Sequence, residues 1–409
     1  MQPLTVRLLI WVNILFWGLK IPMPEFIPAN ALTFNALLTI ILGFCSLSKN
    51  RNRNYLPVLF TVVVVLYGLL VFMLNEEHDG LLRVLLSSLL LIIIIISITS
   101  ILSRVDLNLP ILSLHEIRLI ILIIIFSLLF SISNFSFENF AMLSIKVGGI
   151  YDEASHVGLS VAPLIYYQWT MGDNTDRKIS VFFITILIFT SLSSTLVILL
   201  VFMFSLPIFI NLSRKGNKIK YLLNFLLVIV TIVIFFSTNI SSETYKRMTS
   251  ILDSSSNNNV SSLVYINGWE LLKEYLYDSR YLGIGFNAMG TKTAPITNSG
   301  LILEKFGLSQ LNYNDGSFLL SKIGSELGVV GIFFWIILCT LTIKTATVDN
   351  SSIPKENVVF IYSFLFVNSI GGVLRSGSYF TGPAILGIIS IITYYEYSKT
   401  NFVKIKNIG

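Results

Sequence analysis

The chain has 409 residues, 54% of them hydrophobic and 12% charged, with a formal net charge of +6 and a mean hydropathy of +0.79. So little polar surface excludes a water-soluble globule of this size. The Lys and Arg residues lie between apolar runs rather than on one face, so they read as topology signals and nucleic acid is not an expected partner.

Apolar runs about long enough to cross a ~30 Å hydrocarbon core as helices recur along the chain. The ~10-residue alternating segments of a membrane β-barrel do not. Arg7 precedes a short apolar run, Leu8–Leu19, followed by Pro22, Pro24 and Pro28 rather than a small-residue cleavage site, which predicts a retained first helix. The runs predict helices over 5–20, 29–48, 56–74, 81–102, 114–133, 157–171, 179–191, 194–212, 221–240, 318–343, 357–373 and 380–397. The fold class expected is therefore all-α, a polytopic bundle of about twelve transmembrane helices. Cys45 and Cys339 each sit inside a run; two cysteines exclude a disulfide framework and a zinc site, and core packing is their expected role.

Orientation follows from the short loops. Basic clusters at Lys49, Arg51 and Arg53, at Arg177 and Lys178, at Arg214, Lys215, Lys218 and Lys220, and at Lys399, Lys404 and Lys406 should all be cytoplasmic. The loop with Glu76, Glu77 and Asp79 belongs on the opposite side. Ile179–Leu212 is apolar for roughly 34 residues, about 50 Å as one helix. Both its ends are basic, so two crossings with a turn at Ser191–Ser194 keep both ends inside. Residues 1–240 then carry nine helices, 241–317 form one large external loop, and 318–409 carry three helices and a cytoplasmic tail.

Within that loop, Leu252–Ser262 reads as a flexible linker. Leu263–Tyr277 has apolar residues at helical spacing, which predicts an amphipathic helix on the outer leaflet. Gly283 and Gly285 follow, in a turn where backbone can approach a ligand closely.

Three groups of residues are candidates for chemistry. Arg247, Arg280 and Arg375 are external arginines, suited either to anchoring at the interface or to binding phosphate through a planar fork that stays charged. In the Tyr151–Gly158 stretch, Glu153 and His156 either cap the next helix or act as a general base for a sugar hydroxyl. In Asn312–Ser317, Asp315 and Ser317 make good N-caps, and Tyr313, Asn314 and Asp315, with Trp269, equally suit hydrogen bonding and stacking on a sugar. His78 and His115 have no company suggesting a site. No Asp-x-Asp cluster lies in an external loop, so a metal-independent reaction without a cofactor is expected.

Four features in order resemble Wzy-type O-antigen polymerases, and more broadly the O-antigen polymerase and ligase superfamily of integral-membrane GT-C glycosyltransferases. They are Glu153-x-Ser155-x-x-Gly158, the Ser-rich break at Ser191–Thr195, Arg280 with Gly283, Gly285 and Phe286 after an amphipathic helix, and the Asn/Asp turn leading into Ser325–Gly331. The match covers roughly residues 150–335. The resemblance implies an enzyme at the periplasmic face of the bacterial inner membrane. It would transfer a growing glycan from undecaprenyl pyrophosphate to an undecaprenyl-linked repeat unit, with a chain-length regulator among its partners. The reading of the residues fits it: Arg247, Arg280 and Arg375 suit the pyrophosphate, and Glu153, His156 and Asp315 are the candidates for the base. Ligases of the superfamily usually carry a His before the helix that corresponds to 318–343; here Asn312, Asn314, Asp315 and Ser317 stand there, which favours a polymerase. A flippase of lipid-linked sugars is the rival from another class, and the scarcity of charge within the predicted spans counts against it.

Overall fold

In hydrocarbon a backbone N–H or C=O finds no partner outside its own segment, so each long apolar run closes its hydrogen bonds as a helix. The computed structural model describes residues 2–17, 34–47, 55–75, 80–106, 108–133, 150–151, 154–191, 193–214, 260–291, 295–308, 313–347, 353–375 and 379–406. Among the described residues every regular element is a helix: α1 (Leu4–Leu15), α2 (Phe34–Leu47), α3 (Leu56–Leu74), α4 (Leu81–Leu102), α5 (Leu114–Ser133), α6 (Ala154–Met171), α7 (Asn174–Ser191), α8 (Ser194–Arg214), α9 (Val260–Asp278), α10 (Asn298–Lys305), α11 (Leu319–Ala346), α12 (Lys355–Ser369, with one further turn at Gly371–Leu374) and α13 (Gly382–Lys406). Five of these, α3, α4, α5, α11 and α12, are long and apolar enough to cross a membrane.

The helices expected at 56–74, 81–102 and 114–133 are present with those bounds, and the two helices expected over 179–212 are present as α7 and α8. α1 is shorter than expected: it stops at Leu15, where the Phe16 N–H closes the last turn on Val12 O at 3.0 Å. α13 continues past 397 to Lys406. The helix expected over 221–240 lies outside the described residues. So does the linker as far as residue 259; its last three residues belong to α9.

α12 is the central helix, buried without interruption from Val359 to Ser369 and packed on α6, α11 and α13. Around it Ile, Leu, Val and Tyr side chains from α1, α4, α5, α6 and α13 form one continuous core. Cys45 is exposed and Cys339 half-buried, so neither fills that core as expected. In a membrane span lipid-facing positions are as apolar as core ones, and hydropathy does not separate the two.

Polar contacts sort the helix ends into two sets. At one end the Gln2 amide donates to Asp106 O (2.7 Å) and Leu109 O (2.9 Å), Asn357 Oδ1 accepts from Ile111 N (2.8 Å), and Arg7–Glu116 and Arg118–Asp176 are ion pairs. At the other, Tyr151 donates to Ile14 O (2.8 Å) and Tyr67 to Leu282 O (3.0 Å). Gly158 of α6 lies so close to the start of α8 that a Cβ there would stand 2.7 Å from Leu196 N. The turn at Ser191–Ser194 therefore reaches the second end.

α11 is broken. Gly328 has φ 61° and ψ −144° within an otherwise helical run of 28 residues. Gly316 to Gly328 are buried without exception, whereas Val329 (53% exposed) and Phe333 (63%) begin an apolar stripe directed outward. Val329–Ala346 alone is about 27 Å long at 1.5 Å per residue, close to a full crossing. The break thus separates a half long enough to cross a membrane from a buried half fastened to α9.

Candidate functional site

The cap is built on α9. Leu263, Val264, Leu271, Leu272 and Tyr275 are buried, against α10 and α11. The amphipathic helix expected on the outer leaflet thus has its apolar face met by protein, not lipid. Ser317 Oγ donates to Val264 O (2.8 Å) and Ser321 Oγ to Gly268 O (2.6 Å), fastening the start of α11 along α9. α10 has no counterpart among the expected elements; Thr297 caps it, its Oγ1 accepting from Gly300 N at 3.0 Å.

After α9 the chain reverses through Arg280 (φ 51°) and Tyr281 (φ 67°) and dips beside the break. Val329 N donates to Tyr281 O (3.0 Å), Ile284 N to Ser325 O (3.0 Å) and Gly285 N to Glu326 O (2.9 Å), so the loop supplies the partners that the interrupted helix lacks. A Cβ at Gly283 would stand 2.5 Å from Glu326 O, and one at Gly285 2.6 Å from Phe72 Cβ. The two glycines therefore admit protein, not the ligand expected from sequence. Phe286 packs on Gly68, six residues before the end of α3, which puts the loop about 9 Å below that end. Irregular backbone is tolerated at such depth when it is buried in protein with its polar groups paired, as here.

Beneath the loop is a polar cluster centred on an ion pair with no access to solvent. Lys322 Nζ lies 3.0 Å from Glu326 Oε1, and both side chains are 0% exposed. Lys322 also donates to Asn314 O (2.7 Å) and sits over the Tyr379 ring, 5.4 Å from its centroid. Glu326 further accepts from Asn287 N (2.8 Å), Met289 N (3.2 Å) and the Tyr379 hydroxyl (2.6 Å). Tyr379 stacks on Phe286 with centroids 4.7 Å apart, and the Asn287 amide donates to Ser87 Oγ (2.7 Å). Burial pushes the Tyr379 phenol well above its ordinary range, reinforced by the Glu326 charge. The Tyr275 phenol is raised likewise, by burial first and then by its 3.0 Å hydrogen bond to Tyr313.

Of the candidates read from sequence, Tyr313, Asn314 and Asp315 join this cluster, with Arg83 Nη1 3.4 Å from Asn314 Oδ1. Asp315 and Ser317 do not cap α11: Phe318 holds the N-cap position without a side-chain bond, and Ser317 is turned to α9. Arg375 borders a separate small cavity with Leu159, Leu319, Asn368 and Thr381. His156 stands at the start of α6, its ring 4.5 Å from that of Trp17, whose indole N–H donates to Ser160 Oγ (2.7 Å). It does not line the Arg375 cavity, although Leu159, one turn along α6, does. Arg280 is exposed at the edge of the loop, between exposed Tyr277 and Tyr281. Glu153 and Arg247 lie outside the described residues.

Arg83, Lys322, Glu326 and Tyr379 were not among the expected site residues. The Lys322/Glu326 spacing of four was the available signal, but it is also the spacing of an ordinary solvated helix pair. Among the described residues no three His, Cys, Asp or Glu side chains gather to hold a metal ion. The arrangement offers two exposed or cavity-lining guanidinium groups, an amide and carboxylate turn with aromatic neighbours, and a dry ion pair beneath them. Such a set can hold a phosphorylated or hydroxyl-rich ligand at one end of the bundle. No family model matches the chain, and no curated protein does.

Proposed function

We propose that the chain is a membrane glycosyltransferase of the O-antigen polymerase type. It transfers a growing glycan from a polyprenyl-pyrophosphate carrier to a lipid-linked repeat unit at the periplasmic face of the inner membrane, with the twelve-helix topology and external loop read from the charge pattern. The observation that carries this reading is the placement of Arg280, Arg375 and the Tyr313–Asp315 turn at the end of the bundle opposite Arg177 and Lys178. The order of the four motifs supports it as well. In this reading the arginines stabilise charge that builds on the leaving pyrophosphate, an effect that is usually the largest single contribution to such catalysis. His156, Asp315 or Glu153 takes the proton of the acceptor hydroxyl.

Broken helices with buried charge are also found in transporters. Here the charged half, Leu319–Gly328, lies in the cap, and Val329 onward crosses with an apolar outward stripe, which favours the enzyme.

Purified protein given defined lipid-linked repeat units should build a ladder of lengthening glycans, with chelator or without. Arg280→Ala and Arg375→Ala should each abolish it while the protein still inserts. Wild-type ladders from both variants would remove the pyrophosphate assignment. In cells, loss of the protein should leave single repeat units attached; unattached full-length polymer would point to a ligase instead.

A further inference from the structure

Glu326 carries more bonds than a salt bridge needs. Lys322 alone would pair it, yet its carboxylate also takes two backbone N–H groups of the 280–290 loop and the hydroxyl of Tyr379. A carboxylate has about four lone-pair sites. All are filled, so Glu326 has no lone pair left to accept a substrate proton and is not the base. Its donors come from two segments that share no element: the loop that starts at Arg280, and Tyr379, which precedes α13 and stands four positions after Arg375 in sequence. The stacked rings of Phe286 and Tyr379 join the same two segments.

We propose that Glu326 is a positioning residue: it couples the loop bearing Arg280 to the turn bearing Arg375, and so sets the two guanidinium groups relative to each other for one phosphorylated ligand. Lys322 extends the coupling to a third segment through Asn314 O. The ligand chemistry rests on the polymerase reading; the coupling itself does not.

Tyr379→Phe tests the coupling with little disturbance, because it deletes one hydrogen bond and keeps the ring on Phe286. Hydrogen exchange should then quicken together in peptides from 280–290 and from 371–381, and not in α4 or α6. In the elongation assay kcat should fall by roughly 10- to 100-fold with KM within about twofold, the pattern of a contact that matters in the transition state. The pair Lys322→Met with Glu326→Gln removes both charges at once. It should recover most of the thermal stability lost in Glu326→Gln alone, since replacing a buried pair by groups of similar volume is close to neutral, while kcat stays low. Unchanged exchange in both segments of Tyr379→Phe, or kcat restored along with stability in the double variant, would overturn the proposal and leave a simple structural staple. If the wild-type protein extends no glycan, the polymerase reading fails, and the exchange measurement alone decides the coupling.

Discussion

Gly328→Ala is the sharpest test of the broken helix. At φ 61° and ψ −144° the residue is close to backbone that glycine alone occupies readily, and holding alanine there costs on the order of 1–3 kcal/mol. A Cβ would also stand 2.1 Å from Tyr281 O and 2.5 Å from the Leu282 carbonyl carbon, both backbone atoms. The loop must therefore withdraw, losing the bonds of Val329 N, Ile284 N and Gly285 N, each worth about 1 kcal/mol. The combined cost is about 4–6 kcal/mol, a drop of roughly 5–7 °C in the midpoint of thermal unfolding in detergent for a chain of 409 residues. Gly307→Ala is the control: φ is +71° and nothing lies within 4 Å of its Cβ, so strain of about 1–2 kcal/mol acts alone. Equal midpoints for the two variants would refute the account of the loop as the partner of the interrupted helix.

Two further outcomes are open to direct measurement. The Tyr275 and Tyr379 phenols are raised by burial, so above the unfolded value of about 10 the unfolded chain gives up protons that the folded one keeps. Stability should be flat below that pH and fall above it, and Tyr275→Phe should flatten the fall; an unchanged slope would place that phenol in solvent. With Cys45 and Cys339 replaced by serine, Ile296→Cys, at an 83% exposed position in the cap, should react with an impermeant maleimide in outer-membrane-permeabilised cells. Lys355→Cys at the opposite end should not; the reverse pattern would invert the orientation and remove the proposed substrate from reach.

The crossings were legible because they needed only a local signal. Leu56–Leu74 and Leu81–Leu102 are predominantly apolar runs flanked by polar residues, and charge at both ends of Ile179–Leu212 forced the turn that separates α7 from α8. The cap was not legible in the same way. The periodicity of α9 shows that one face is apolar, but not whether lipid or Phe318 and Leu303 will cover it. Gly328 inside an apolar run reads as a tolerated glycine, because its conformation is set by Tyr281, distant in sequence. Lys322 and Glu326 look like a solvated pair for the same reason: the Asn287, Met289 and Tyr379 donors that make their burial affordable are supplied by tertiary contact. Arg83 lies inside the predicted 81–102 span with nothing beside it to suggest a site, and only the return of Asn314 to α4 marks it as part of the cluster.

The dipping loop also dictates an order of assembly. Its fastenings span the chain: Tyr67 to Leu282 is a separation of 215 residues and Ser87 to Asn287 one of 200, while the hydroxyl on Glu326 comes from a residue made 53 positions later. Crossings can enter the bilayer one by one as they emerge from the ribosome, but the loop has no complete seat until Tyr379 has been synthesised and delivered. Newly inserted protein should therefore pass through a stage in which the spans are already in place and Gly285 is still open to protease, and maturation of the cap should be the slow, final step of its biogenesis.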